Sequence, residues 1–181
     1  RLNVKQCEVG MSIATDIEKI KQQELALRFE SFSEADAWAL GSQMREAAIA
    51  LKHPFVIDIR VAGRKLFYTA LSGTTPANES WVQRKINVVM RLNKSSYCVG
   101  RELALSGRAL DESQGVLPID YATHGGCFPI AIKNVGVVGT VTVSGIPQRD
   151  DHNFVVEHIC RYLKLDHKSL ALGPEEKCLT R

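Results

Sequence analysis

Two pairs of apolar runs with a period of two, each pair closed by a short glycine-containing turn, constrain this chain more than any other feature. Phe55, Ile57, Ile59 and Val61 alternate with Val56, Asp58 and Arg60 behind Pro54, the pattern of a half-buried strand. Ala62-Gly63-Arg64 then leads into a second run over 66–71. After His124-Gly125-Gly126, runs over 128–133 and 137–144 are joined by Asn134-Val135-Gly136, whose Asn and Gly tolerate positive φ. Strands joined so closely are hairpins and lie antiparallel, because parallel neighbours need a crossover of roughly a dozen residues or more.

Helical spacing fills the intervals. Ser33 with Asp36 three residues on is a capping box, and Leu40, Met44, Ala47 and Leu51 follow at helical steps, predicting a helix over 33–52. A loop over 73–80, rich in Thr, Pro and Asn, precedes a helix over 79–94. That helix sets Val82, Ile86 and Val89 on one stripe and Arg84, Asn87, Arg91 and Lys94 on another. A short helix is expected over 100–108 and an irregular connection over 111–121. The last helix, 149–164, buries Val155, Ile159, Tyr162 and Leu163 and exposes Asn153, Glu157 and Arg161, with Glu157 and Arg161 an i,i+4 pair. A short helix over 15–21 and a strand over 25–29 would add a fifth strand, and the tail from Asp166 reads as loosely attached. The order gives an α+β chain in one domain: a mainly antiparallel sheet, five-stranded with the 25–29 strand, with helices packed on its faces.

With 181 residues, 45% hydrophobic and 24% charged, the chain can bury a proper core. Its 23 basic and 20 acidic residues leave a net charge of only +3, too little one-sided field for a nucleic-acid binder. Apolar runs fall short of the roughly 18–20 residues of a membrane span, so no membrane partner is expected. Five scattered cysteines, Cys7, Cys98, Cys127, Cys160 and Cys178, show no Cys-x-x-Cys spacing. They read as reduced thiols of a cytoplasmic protein. Because the chain opens on Arg1 rather than Met, a preceding segment is left open.

The residues most able to carry chemistry sit at two junctions. His124 precedes two glycines that let backbone approach a ligand or bend tightly. Gln148, Asp151 and His152 open the last helix, where free amides and the helix dipole favour an anion. Arg84 is a planar clamp for carboxylate or phosphate, and Trp81 a surface on which a flat ligand could stack. Each has a plain structural alternative: tight packing for Gly125 and Gly126, capping for Asp150 and Asp151, burial for His152 on the side of Val155, Val156 and Ile159, core or interface for Trp81, a solvated face or subunit contact for Arg84. Asp58 and Arg60 read as a sheet salt bridge.

Together Trp81-Val82-Gln83-Arg84-Lys85, Ser95-Ser96-Tyr97, His124-Gly125-Gly126 and Ser144-Gly145 with Gln148, Asp151 and His152 resemble the haem-degrading-domain superfamily, in its branch of small uncharacterised proteins related to GlcG and HbpS. The resemblance covers about 30–165, leaving an N-terminal extension and the C-terminal tail. It implies a profilin-like sandwich, a homo-oligomer and haem as a possible cofactor, without settling whether the protein is an enzyme. In a haem reading His124 or His152 meets iron and Arg84 a propionate. Against it, the chain has neither a Cys-x-x-Cys-His nor a Cys-Pro haem motif. The other readings are a non-catalytic oligomeric scaffold or interaction module and, weaker, a metal-dependent hydrolase using His124, Asp151 and His152.

Overall fold

The computed structural model describes residues 4–174, of which 4–11 are described by backbone alone. In chain order the elements are α1 (Val4–Ala26), β1 (Arg28–Phe29), α2 (Glu34–Ala50), β2 (Val56–Val61), β3 (Arg64–Ala70), α3 (Pro76–Leu92), α4 (Ser96–Ser106), two 3-10 turns, β4 (Cys127–Ile132), β5 (Gly136–Ser144), α5 (Gln148–Leu163) and α6 (His167–Leu170). The two expected hairpins are β2–β3 and β4–β5, both antiparallel, and β5 pairs antiparallel with β2. The order is β1-β4-β5-β2-β3, with β1 joining parallel to β4 as the fifth strand. Three helices, α2, α3 and α4, and the β2–β3 hairpin separate β1 from β4, which leaves ample chain for that one parallel pairing.

Period-two patterning sorts the strand residues onto two covered faces. Ile57, Ile59, Phe128, Val141 and Val143 pack under α2 and α5 with Leu40, Met44, Phe154, Val155 and Ile159. On the other face Val56 and Cys127 meet Val82, Ile86 and Val89 of α3. β2, β4 and much of β5 are therefore covered on both sides rather than half-buried, whereas β3 stays largely exposed, and Asp58, Thr140 and Thr142 on the α3 side are fully covered. Asp58 is tolerated there because Arg60 grips it through two hydrogen bonds of 2.8 and 2.9 Å, the expected salt bridge.

The Ser33–Asp36 capping box opens α2 as its spacing predicts. A second box, Thr75 with Asn78, opens α3 behind Pro76, so the helix begins inside the segment read as a loop. At the N-terminus the expected short helix is one turn after another of a long one, α1. Its Ile20 packs with Tyr97, Cys98 and Leu172, and its Asp16 and Gln23 reach α5. The tail read as loose from Asp166 carries α6 over its described part. It is held by the Gln23 amide donating to the Leu170 carbonyl (2.7 Å) and by Arg149 donating to that of Gly173 (2.9 Å). No helix among the described residues is long and apolar enough to cross a membrane.

Candidate functional site

The end of β5, the first turn of α5, the middle of α3 and the loop before β4 meet around one open cleft of about 240 Å³. It is lined by Asn78, Trp81, Lys85, His124, Ser144, Ile146, Gln148 and Asp151. Local rules put them there. The strand ends at Ser144, Gly145 turns against the Pro54 carbonyl, and Pro147 caps α5 so that Gln148 and Asp151 stand one turn apart on one side of the helix. Of the expected site residues, His124, Trp81, Gln148 and Asp151 share this cleft.

On its floor lies a pair that the motif reading passed over. Lys85 Nζ donates to Asp151 Oδ2 at 2.8 Å and to the Val143 carbonyl at 3.1 Å, and both side chains are 3% exposed. Asp151 Oδ1 accepts from the Ile146 backbone N–H at 3.1 Å, so this carboxylate caps the turn from its far side. Burial pushes Asp151 up to about 6 despite the opposing pull of the Lys85 ammonium and the turn amides. Lys85 falls on the stripe of Val82, Ile86 and Val89, and a lysine at a core position of an amphipathic helix is itself the signal of a buried partner.

The paired glycines earn their place by contact. A Cβ on Gly125 would stand 1.9 Å from the Gln148 carbonyl oxygen. One on Gly126, whose φ is +116°, would stand 2.5 Å from the Val143 oxygen and 2.8 Å from Lys85 Nζ. No side chain fits between the loop and the Lys85–Asp151 pair. At the mouth His124 is exposed and meets Trp81 edge to face at 4.9 Å, while the Arg84 guanidinium lies over the Trp81 ring, 4.7 Å from its centroid. Partial desolvation, then Lys85 and Arg84, lower the His124 pKa, favouring a neutral imidazole at pH 7. Arg84 itself donates weakly to the Tyr121 carbonyl at 3.4 Å and does not line the cleft.

His152 lies on the buried side it shares with Val155, Val156 and Ile159, apart from the cleft. It follows Asp151 on α5 and therefore points to another side of the helix, where it is 1% exposed between Tyr97 and Phe128. Its Nε2 pairs with Gln23 Oε1 at 2.8 Å, and burial pushes its pKa down to about 3. It is a neutral core residue, sealed by α1, and cannot join His124 on one ligand. The hydrolase trio is not assembled, and no cluster of three or more His, Cys, Asp or Glu among the described residues could hold a metal ion. Ser95 and Tyr97 of the second motif also serve the frame: Ser95 caps α4 by accepting from the Cys98 N–H, and Tyr97 packs its ring against His152. Cys98, Cys127 and Cys160 are free and buried.

Comparison with known proteins agrees with this architecture. A UPF0303 protein of Acidobacterium capsulatum is 51% identical over 162 residues, 90% of this chain and 98% of its own. The crystal structure of the Ybr137w protein superposes with a TM-score of 0.74 at 28% identity, covering 85% of this chain and 89% of that one. That of a PduOC–haem complex does so at 0.61 and 17% identity, covering 76% and 98%, which speaks for the fold. Residues 32–159 match the family described as haem degrading protein, HbpS-like. The chain belongs to that HbpS-like family, in its UPF0303 branch.

Proposed function

We propose that the protein binds a small anionic ligand in the cleft between α3 and the start of α5. The observation that carries this reading is the convergence of a buried ammonium, Lys85, with Gln148, Asn78 and an exposed imidazole, His124, around one opening. Such a mixture, a few convergent polar groups beside an aromatic wall at Trp81, is how small-molecule sites are built.

Haem can be tested against the same geometry. His124 and Arg84 offer an imidazole and a guanidinium at the mouth, the groups that suit iron and a propionate. The room does not fit: about 240 Å³ is below the roughly 300–1,000 Å³ of pockets that bury a drug-sized ligand, and His152 is walled off as a second imidazole. The cleft of one chain therefore does not enclose a tetrapyrrole. Haem is kept as a second reading, lying across the mouth, because a protein of this fold was solved as a haem complex.

Homo-oligomer formation belongs to the same proposal. Trp38, Ile119 and Val135 are 67%, 76% and 72% exposed, separate apolar side chains that a subunit contact would cover. Two titrations decide among the readings. Small carboxylates should shift the NMR signals of the Trp81 indole, His124 and Gln148, whereas haemin should give a Soret shift that H124A weakens if the second reading holds. No response to either, with a single oligomer on a sizing column, would leave the scaffold reading in front.

A further inference from the structure

The ammonium on the cleft floor has three hydrogens, and among the described residues two acceptors, Asp151 Oδ2 and the Val143 carbonyl, take two of them. The third belongs to a group that is 3% exposed and lines the cleft. An oxyanion arriving there comes up beside the Asp151 carboxylate, which is bound to the same nitrogen. Two carboxylates sharing one cation in a desolvated site cannot both stay ionised at ordinary cost, so one takes a proton.

We propose that the cleft takes a compact carboxylate on the third hydrogen of Lys85 and that Asp151 takes up a proton as the ligand binds. This rests on the small-anion reading above and names its chemical class: a ligand with one carboxylate and few further heavy atoms, set by the size of the cleft, with Gln148 and Asn78 available to a second polar group.

The groups around Asp151 from each packed element decide where the proton goes. From α3 comes Lys85. The loop before β4 brings His124 to the same cleft, and β4 brings Cys127, whose thiol burial pushes up to about 12 and so keeps neutral. Ser144 and the Val143 carbonyl come from β5, and the turn gives the Ile146 N–H. On α5, Asp150 is exposed, Arg149 turns away to Asp16, and His152 is sealed behind. Asp151 is the acid next to the incoming charge, and His124, its pKa lowered by desolvation and by Lys85 and Arg84, is the other proton-binding side chain facing the cleft.

The experiment is an NMR titration of the intact chain with lactate and with acetate from pH 5 to 8.5. Apparent Kd should be level up to about pH 6, where free Asp151 titrates, and then rise by up to tenfold per pH unit until Asp151 of the complex also ionises. D151N should flatten that rise, and H124N should keep it. Directly, the Asp151 side-chain carbonyl carbon should move to the value of a protonated acid when lactate is added at pH 7, a readout that stands even where D151N folds poorly. Binding whose Kd is level with pH, or a rise lost in H124N and kept in D151N, overturns the proton uptake while leaving the small-anion reading. Absence of any shift at cleft residues at every pH overturns that reading as well.

Discussion

Lys85 of α3 and Asp151 of α5 form a 2.8 Å ion pair across the floor of the cleft, each side chain 3% exposed. The pair ties together two helices on opposite faces of the sheet at the edge where β5 ends. Removing Lys85 alone leaves a buried carboxylate without its cation, and such a loss costs about 3–5 kcal/mol. K85M should therefore lower the urea midpoint sharply at pH 7. Because Asp151 is then more easily protonated, folded-state proton binding exceeds that of the unfolded chain over a wider range. The sign follows: K85M should be less destabilised at pH 5 than at pH 8. Adding D151L to K85M should recover much of the loss, since an apolar pair of similar volume removes the stranded charge.

His152 gives the opposite pH dependence. Its pKa is pushed down to about 3 in the folded protein, against about 6.5 in an unfolded chain. Between these values the unfolded state binds the proton, so stability is fully present above pH 6.5 and is lost as pH falls toward 3. At pH 4.5 the loss from this one residue is on the order of 3 kcal/mol. Asp151, raised to about 6, works the other way over pH 6 to 4, so the readout is the difference between wild type and H152Q. Urea unfolding at pH 7 and 4.5 should show a smaller acid loss in H152Q. An equal loss in both would place the acid-sensitive group elsewhere.

These two residues also show where sequence reasoning reached and where it stopped. The hairpins, the capping box at Ser33 and Asp36 and the stripe of Val82, Ile86 and Val89 were legible because each depends on residues a few positions apart. His124, Gln148 and Asp151 were legible as a group through motif spacing. His152 was legible as a buried residue from the side it shares with Val155, Val156 and Ile159, but motif spacing still grouped it with Asp151, although neighbours in a helix point about 100° apart. Lys85 stood in the Trp81–Lys85 motif but was given no role of its own. Its partner lies 66 positions on, and no local pattern reports that. Nor does local pattern reveal that Gln23 and Asp16 of α1 close over α5, since polar residues interrupt the apolar period that marks a buried helix face.

Gly126 is the most exacting backbone position of the site. Its φ of +116° disfavours any side chain, and an added methyl would meet the Val143 oxygen at 2.5 Å, Lys85 Nζ at 2.8 Å and the Asp151 Cβ at 2.9 Å. Strain of about 1–3 kcal/mol from the dihedral adds to overpacking of similar size. G126A should thus lose several kcal/mol and disturb the Lys85–Asp151 pair, visible as a shift of the Lys85 Nζ resonance. G63A, at a turn where an added Cβ meets nothing within 4 Å though φ is +76°, should carry the dihedral strain alone and leave that resonance in place.

The cysteines offer a test of the core itself. Burial pushes Cys98 and Cys127 up to about 12 and Cys160 up to about 11, so at pH 8 each is overwhelmingly the thiol, and the thiolate is the reactive form. Cys127 is further occupied, since Thr142 Oγ1 donates to its sulfur at 3.0 Å under α3. Iodoacetamide labelling of the native protein at pH 8, followed by peptide mass spectrometry, should leave these three unmodified on the timescale in which guanidinium-unfolded chain is fully alkylated. Because labelling then requires opening of the fold, V82A should speed modification of Cys127. It creates a cavity in the α3 layer, worth about 1–3 kcal/mol by the lost methyls, directly over that residue's cluster. Cys160, which belongs to the opposite layer with α2 and α5, should respond less if the two faces open independently and equally if the sandwich unfolds as one unit.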